Sequence, residues 1–351
     1  MTEIRDNWIS MIMDGAPGQP PELPPAPKRP VTFKENSLLF YQRQTPRWIP
    51  LANECNIIIP EVVCERPARN QGGKDWFGVD WTYMELVHAP SVTPGFSLFE
   101  DIGDWREAVR FPDLDAIDWE GSAKQTQAYI DPNRMTACVL FNGCFERLQS
   151  MMGFENAACA MASEPEETLE LINAIADFKI RLIDKLLTYY PIDRIIYHDD
   201  WGMQTSTFFS EKMFLELFYE PTKRIVDYTH SRGALFTMHS CGKVERFVPH
   251  MVTMDVDSWE SAQMDINDLP GLKQAHGKKL NIETILVNPV LSDPDAADEE
   301  VRRFVRETIQ ALGKGGGLCF MYLSRCHPKH LWSIYDEYYK ISAVLCGSEG
   351  G

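Results

Sequence analysis

The stretch TMHSCG places His239 and Cys241 two residues apart. At a strand end, alternate side chains point to one face, so this imidazole and thiol can meet a single ion. Both are good ligands for zinc, which takes four ligands in a tetrahedron. Further ligands must come from neighbouring strand ends. Glu260 follows the next apolar run, and Cys326 follows the last one, in the loop YLSRCHPKH; Cys326 is preferred to the alternative, Cys319, which starts that run and lies deeper. A second constellation is YHDDWG, where His198, Asp199 and Asp200 directly follow the apolar run Arg194–Tyr197. Adjacent carboxylates at the end of a buried strand are costly unless bonded to something. Asp199 and Asp200 read as catalytic groups serving a small molecule, with capping of the following loop as the alternative. Asn142, Trp201, Gln204, Trp259, Gln263 and Glu283 lie at or near other strand ends and complete the candidate substrate contacts.

These residues need elements to carry them. Apolar runs that read as buried parallel strands occur at 48–51, 77–81, 138–141, 194–197, 235–238, 256–259, 280–282 and 318–321. Helical segments alternate with them. Ser163-Glu164-Pro165-Glu166 has the form of a capping box with Pro in the first turn, followed by Leu169, Ile172, Ala176, Ile180, Ile183 and Leu187 at helical spacing. Asp295 precedes Val301, Phe304, Val305, Ile309 and Leu312, closed by Gly313, and a further helix opens at Ser210 with Pro221 bending it. Eight strands with intervening helices predict an α/β fold, a (β/α)8 TIM barrel, whose reactive residues come from the C-terminal strand ends. Ahead of it, residues 1–35 form an N-terminal extension, helical and then Pro-rich, with seven prolines within residues 17–30. The barrel domain spans 36–345 and a short tail 346–351.

Composition narrows the function classes. The 351 residues carry 34 Lys+Arg against 51 Asp+Glu, a net charge of −17, which disfavours nucleic acid as a partner. No run is long and apolar enough for a membrane span, and the charged start MTEIRDNWIS lacks the apolar stretch of a secretory signal, so a cytoplasmic protein is expected. Nine cysteines in that setting read as thiols rather than a disulfide framework.

From about residue 36 to 340 the chain resembles the uroporphyrinogen decarboxylase-like superfamily, most closely its corrinoid-dependent methyltransferase branch. The stretches that carry the resemblance are FGVDW at 77–81, FERLQSMMGFENAACAM at 145–161, DDWGMQTSTFFSEKMFLELFYEP at 199–221, HSCGKVERFVPHMV at 239–252, KQAHGKKLNIE at 273–283 and GKGGGL at 313–318. Decarboxylation of uroporphyrinogen is not the expectation. The arginine-bearing signature that binds its carboxylates is replaced by WIPLANECNII, and a mouth rich in Asp and Glu repels a polyanion. The resemblance implies zinc on His239, Cys241 and a distant cysteine, matched by position to Cys326, with Glu260 as the acidic ligand. It also implies methyl transfer between a small molecule and the cobalt of a corrinoid carried by a partner protein. Trp48, Trp81, Trp201 and Trp259 near the expected mouth read equally as bulky core or as contacts for an aromatic donor, and the second reading gives a methoxylated aromatic, hence O-demethylation with zinc as Lewis acid. The alternative is transfer from methyl-cobalt to a zinc-bound thiol. A homodimer is compatible with either.

Overall fold

The computed structural model describes residues 23–68, 70–85, 89–322 and 326–347. Its strands are β1 (Asn56–Ile58), β2 (Gly73–Lys74), β3 (Asp80–Met84), β4 (Ala89–Val92), β5 (Thr136–Leu140), β6 (Arg194–His198), β7 (Leu235–His239), β8 (Ser258–Gln263), β9 (Asn281–Ile285) and β10 (Leu318–Tyr322). β1 and β5 to β10 form one parallel sheet in that order, and β2, β3 and β4 form a small antiparallel sheet. One broken segment joins the two edges of the parallel sheet. Leu51 bridges Phe320 of β10, whose N–H donates to the Pro50 carbonyl at 3.0 Å, and a few residues later β1 pairs with β5. The sheet curls into a TIM-barrel-type fold with helices around it, as expected, but with seven parallel strands among the described residues.

Two expected barrel strands differ, each for a local reason. The run 48–51 contributes only the Leu51 bridge, because Pro50 has no N–H to donate and a 3-10 turn, Ala52–Glu54, follows at once. The run 77–81 is not a barrel strand. The Asp75 carboxylate accepts from the Phe77 and Val79 amides at 2.9 and 3.0 Å, and Gly78 has φ +82°, so the chain turns there before β3 pairs antiparallel with β4.

The helices follow the apolar pattern with altered caps. Ser163 does not cap the next helix. Its hydroxyl donates to the Cys159 carbonyl, and helix Pro165–Tyr189 starts with Pro in its first turn and no side-chain cap. Ser210 does cap its helix, accepting from the Met213 amide at 3.1 Å. A wide π-type turn, Phe214–Phe218, then precedes Tyr219–Ser231, with Pro221 near its start; the extra residue relieves the clash of the proline ring with the preceding turn. Helix Phe33–Tyr41 runs across the expected boundary at residue 35. It begins in a capping box between Thr32 and Glu35 and delivers Tyr41, 3% exposed, to the barrel floor. The expected helical opening and residues 17–22 of the Pro-rich arm lie outside the described part, and residues 23–30 have no regular secondary structure, with Leu23 against the core.

Two buried polar assemblies fix this frame. At the floor, Arg194 pairs with Glu283 at 2.7 Å and bonds Tyr41 and Thr237, while Ser258 donates to Glu283 at 2.6 Å. To one side, Arg147 pairs with Glu65 at 2.7 Å and Asp75 at 2.6 Å, and Lys179 pairs with Glu65 at 2.7 Å, all four nearly or wholly inaccessible to solvent. Breaking such a set leaves carboxylates buried and uncompensated, so Arg147→Met is expected to cost about 3–5 kcal/mol in urea unfolding.

Glu54 is buried where the N-terminal arm covers the broken segment, with Arg29 3.9 Å from its carboxylate. It accepts from the Trp48 indole at 2.9 Å, and burial raises its carboxyl to about 7. The folded state therefore binds a proton that the unfolded chain releases between its ordinary value and about 7, and this contribution to stability is lost as pH rises through that window. Glu54→Gln, which keeps an acceptor, is expected to gain stability relative to wild type between pH 5 and 8, read from paired thermal melts.

Candidate active site

Strand register builds the site. His198 of β6, His239 of β7, Glu260 of β8, Glu283 of β9 and Cys319 of β10 are successive Cα partners, so one row of polar side chains crosses five adjacent strands. Register partners share a face of the sheet. The row divides by depth. Glu283 and Cys319 belong to the floor, Glu283 on Arg194 and Cys319 packed with Phe40, Tyr41 and Met135. His198, His239 and Glu260 stand at the mouth.

The two imidazoles lie face to face, ring centroids 4.1 Å apart and 14° from parallel. Each has a carboxylate at Nδ1: Glu146 Oε2 at 2.9 Å from His198, and Glu260 Oε2 at 3.5 Å from His239. On the other side of the His239 ring, Nε2 is 3.6 Å from Cys241 Sγ and 4.0 Å from Asp200 Oδ1. Burial pulls the His239 proton off, but its bonds to Cys241 and Glu260 and their charges outweigh this and raise its affinity well above the ordinary value. Burial pushes Glu260 up, and the His239 contact more than reverses it. Each group thus favours the charged form of the other. The Phe141 ring lies 5.4 Å from His198 and is tilted 53° to it, with the Arg66 guanidinium 3.5 Å from the Phe141 ring centroid.

The loops are positioned by backbone bonds. The Cys241 amide donates to Asp200 Oδ1 at 2.7 Å, and the Gly242 amide donates to the Gln263 side chain at 2.6 Å. Gly242 has φ +89°, and a Cβ there would lie 2.4 Å from the Gly202 carbonyl carbon, so this position admits only glycine. β8 carries a bulge between Glu260 and Ala262. Ser261 there has φ +66° and its Oγ is 3.1 Å from Cys241 Sγ.

The remaining candidates separate into those at the mouth and those elsewhere. Asp199 faces away from it: fully buried, it accepts from the Phe145 and Glu146 amides at 3.2 and 2.9 Å and from the Trp201 indole at 3.0 Å, and so caps helix Cys144–Met152. Trp201 and Trp259 are 0% exposed, and Trp48 and Trp81 are buried too; none of the four lines the mouth. Asn142, at φ +54°, donates to the Glu65 carbonyl, and Gln204 is exposed in the loop after Asp200. Cys326 is half-buried against the apolar core. Among the described residues, the side chains whose ligand atoms lie within 4.8 Å of one another are His198, Asp200 and His239; of the four expected metal ligands this group holds His239 alone, without Cys241, Glu260 or Cys326.

A family model described as uroporphyrinogen decarboxylase (URO-D) matches residues 78–315, about two thirds of the chain. The chain belongs to the uroporphyrinogen decarboxylase family. Its fold is shared with a methyltransferase from Methanosarcina mazei, which is similar over 89% of this chain and 99% of the other at 11% identity, with a TM-score of 0.62. A glycosylated endo-beta-1,4-xylanase from Gloeophyllum trabeum overlaps 65% of this chain and 82% of its own, at 8% identity and a TM-score of 0.42. No curated protein sequence matches the chain.

The donor set of this uroporphyrinogen decarboxylase-family barrel suits zinc. Bonds of about 2.3 Å to sulfur and 2.0–2.1 Å to nitrogen at a tetrahedral angle give a ligand–ligand edge of about 3.5 Å, and His239 Nε2 to Cys241 Sγ is 3.6 Å. Glu260 Oε2 is buried with no hydrogen-bond partner and stands 3.5 Å from His239 Nδ1. Sequence reasoning missed the Glu146–His198 pair as a unit and Ser261. Glu146 was findable, because it stands in the first turn after a strand-ending Asn-Gly. The bulge leaves no signature in residue types. Asp199→Ala removes three accepted bonds at once and is expected to cost about 2 kcal/mol or more, measured as a lowered denaturation midpoint.

Proposed function

We propose that this chain is a methyltransferase that moves a methyl group from a methoxylated aromatic compound to the cobalt of a corrinoid carried by a partner protein. The observation that carries the reading is the meeting of imidazole, thiol and carboxylate around His239 Nε2 at the mouth of a uroporphyrinogen decarboxylase-family barrel. The fold likeness to the Methanosarcina methyltransferase supports it. A mouth bearing Glu146, Asp200 and Glu260 speaks against a polycarboxylate substrate. With the tryptophans in the core, the support for a flat donor is the Phe141 ring beside the stacked imidazoles.

His239 and Cys241 would hold the zinc, which supplies Lewis acidity to the ether oxygen so that phenolate leaves more readily. Glu260 then orients His239 from Nδ1 rather than binding the same ion, because Cys241 stands on the Nε2 side. Glu146 fixes the tautomer of His198 in the same way. The bond between methyl carbon and ether oxygen breaks with its electron pair on oxygen, and the pair on cobalt(I) forms the new bond to carbon. The phenolate takes a proton from solvent.

Purified protein, a cobalt(I) corrinoid protein and a panel of guaiacol-, vanillate- and veratrole-like ethers test this. A spectral change to methyl-cobalt with release of a free phenol is expected. Methyl-cobalt consumed only on addition of a thiol, with every ether inert, would replace this reading with thiol methylation.

A further inference from the structure

We infer that Arg66 and Phe141 form a binding position for a carboxylate carried on the ring of the methyl donor, so that the donors are methoxylated aromatic monoacids rather than neutral aryl ethers. This rests on the aromatic-ether reading above and narrows its substrate class.

Topology delivers Arg66 to the mouth. β1 and β5 run parallel, so the segment that leaves β1 after Ile58 emerges at the same end of the barrel as Phe141 and Asn142, which follow β5. Glu65 then fixes that segment. Its carbonyl accepts from Asn142 at 2.5 Å and from Arg147 at 2.7 Å, and its carboxylate pairs with Arg147 and Lys179. The next residue, half-buried Arg66, sets its guanidinium carbon 3.5 Å from the Phe141 ring centroid. Contact that short is made with the ring face, and a planar guanidinium stacked on a ring directs its N–H groups outward in its own plane. That fork suits the two oxygens of a carboxylate.

The spacing and charge of the mouth select the ligand. Phe141 touches the guanidinium and neighbours the His198 ring at 5.4 Å, and His198 stacks on His239. One aromatic ring thus links the cation to the imidazole pair. In a methoxybenzoate, the carboxylate and the ether oxygen are likewise linked through one ring, and Phe141 gives that ring an apolar neighbour. Glu146, Asp200 and Glu260 gather around the imidazoles, so a negative group is repelled from that end and drawn to Arg66. The donor is thereby oriented with its methoxy group toward His239 and Cys241. A second negative charge would have to face those carboxylates, which restricts the class to monoacids. Arg147 and Lys179 do not serve here, because both are sealed in the buried clamp.

Vanillate and guaiacol differ by one carboxylate, and calorimetric titration of the full-length protein with each, without corrinoid protein, measures what that group contributes. Vanillate is expected to bind about ten-fold more tightly than guaiacol, or better, as a charge-assisted pair would give. Arg66→Gln should abolish the difference by weakening vanillate alone. Arg66→Lys, which keeps the charge and loses the fork, should fall between. In both variants the thermal midpoint and the affinity for guaiacol should match wild type, which a general disturbance of the mouth would not allow. Equal affinities in wild type would overturn the assignment, as would a vanillate preference that survives in Arg66→Gln or failure of wild type to bind vanillate. Should Arg66→Gln not fold, the wild-type pair and Arg66→Lys decide. Methyl transfer is scored separately, with the same two ethers and cobalt(I) corrinoid protein. Vanillate preference without methyl-cobalt would keep this site and sink the transfer, whereas equal binding and equal turnover of both ethers would do the opposite.

Discussion

The in-register row from His198 through His239, Glu260 and Glu283 to Cys319 is the constraint on which the rest of the barrel depends. Barrel interiors are usually filled by layers of branched apolar side chains. Here adjacent strands turn ionisable groups inward, and each must find a partner or destabilise the fold. At the mouth the partners are carboxylates, Glu146 for His198 and Glu260 for His239. At the floor the partner is Arg194, which rises from the start of β6 to reach Glu283. The helix Phe33–Tyr41 has its place for the same reason: it brings the Tyr41 hydroxyl to Glu283 at 2.9 Å and covers the floor with Phe40.

A second set of charges attaches what lies outside the barrel. Glu65 and Asp75 flank the segment that leads into the small antiparallel sheet, and Arg147 and Lys179 clamp it onto helices Cys144–Met152 and Pro165–Tyr189. Buried ion pairs add little net stability over apolar packing, but they tolerate no substitute geometry. Here that intolerance reaches the site. The Glu65 carbonyl holds Asn142 in a left-handed conformation at the start of the turn that presents Glu146. Strain of this kind persists where the surroundings over-determine it.

The alternation of apolar runs with helical segments was legible, and with it the barrel and the strand ends carrying His198, His239 and Glu260. His239 and Cys241 were legible as a pair because period-two alternation is a local property. What local pattern could not show is which side of a strand-end residue faces the mouth. Asp199 and Asp200 are identical in type and adjacent, yet Asp199 meets the Phe145 and Glu146 amides at the start of a helix, whereas Asp200 meets the single Cys241 amide in the loop at the mouth. The tryptophans looked like substrate contacts for the same reason, while their bulk in fact fills the layer beneath the loops. The run 77–81 has a strand's composition and a turn's geometry, decided by the bonds that the Asp75 carboxylate accepts.

The contact between Gly202 and Gly242 couples the loops after β6 and β7 through their main chains, and the Lys243 amide donates to the Met203 carbonyl at 2.8 Å beside it. Asp200 and Cys241 therefore ride on a single body rather than two independent arms. Domain-like opening at the mouth has no hinge available between them, and entry and exit must be governed from the periphery, by the exposed turn at Met203–Ser206 and by the segment clamped over Arg147. A change of length or sequence at those rims alters access alone, whereas a change in either reactive loop is transmitted to the other through their shared main-chain contact.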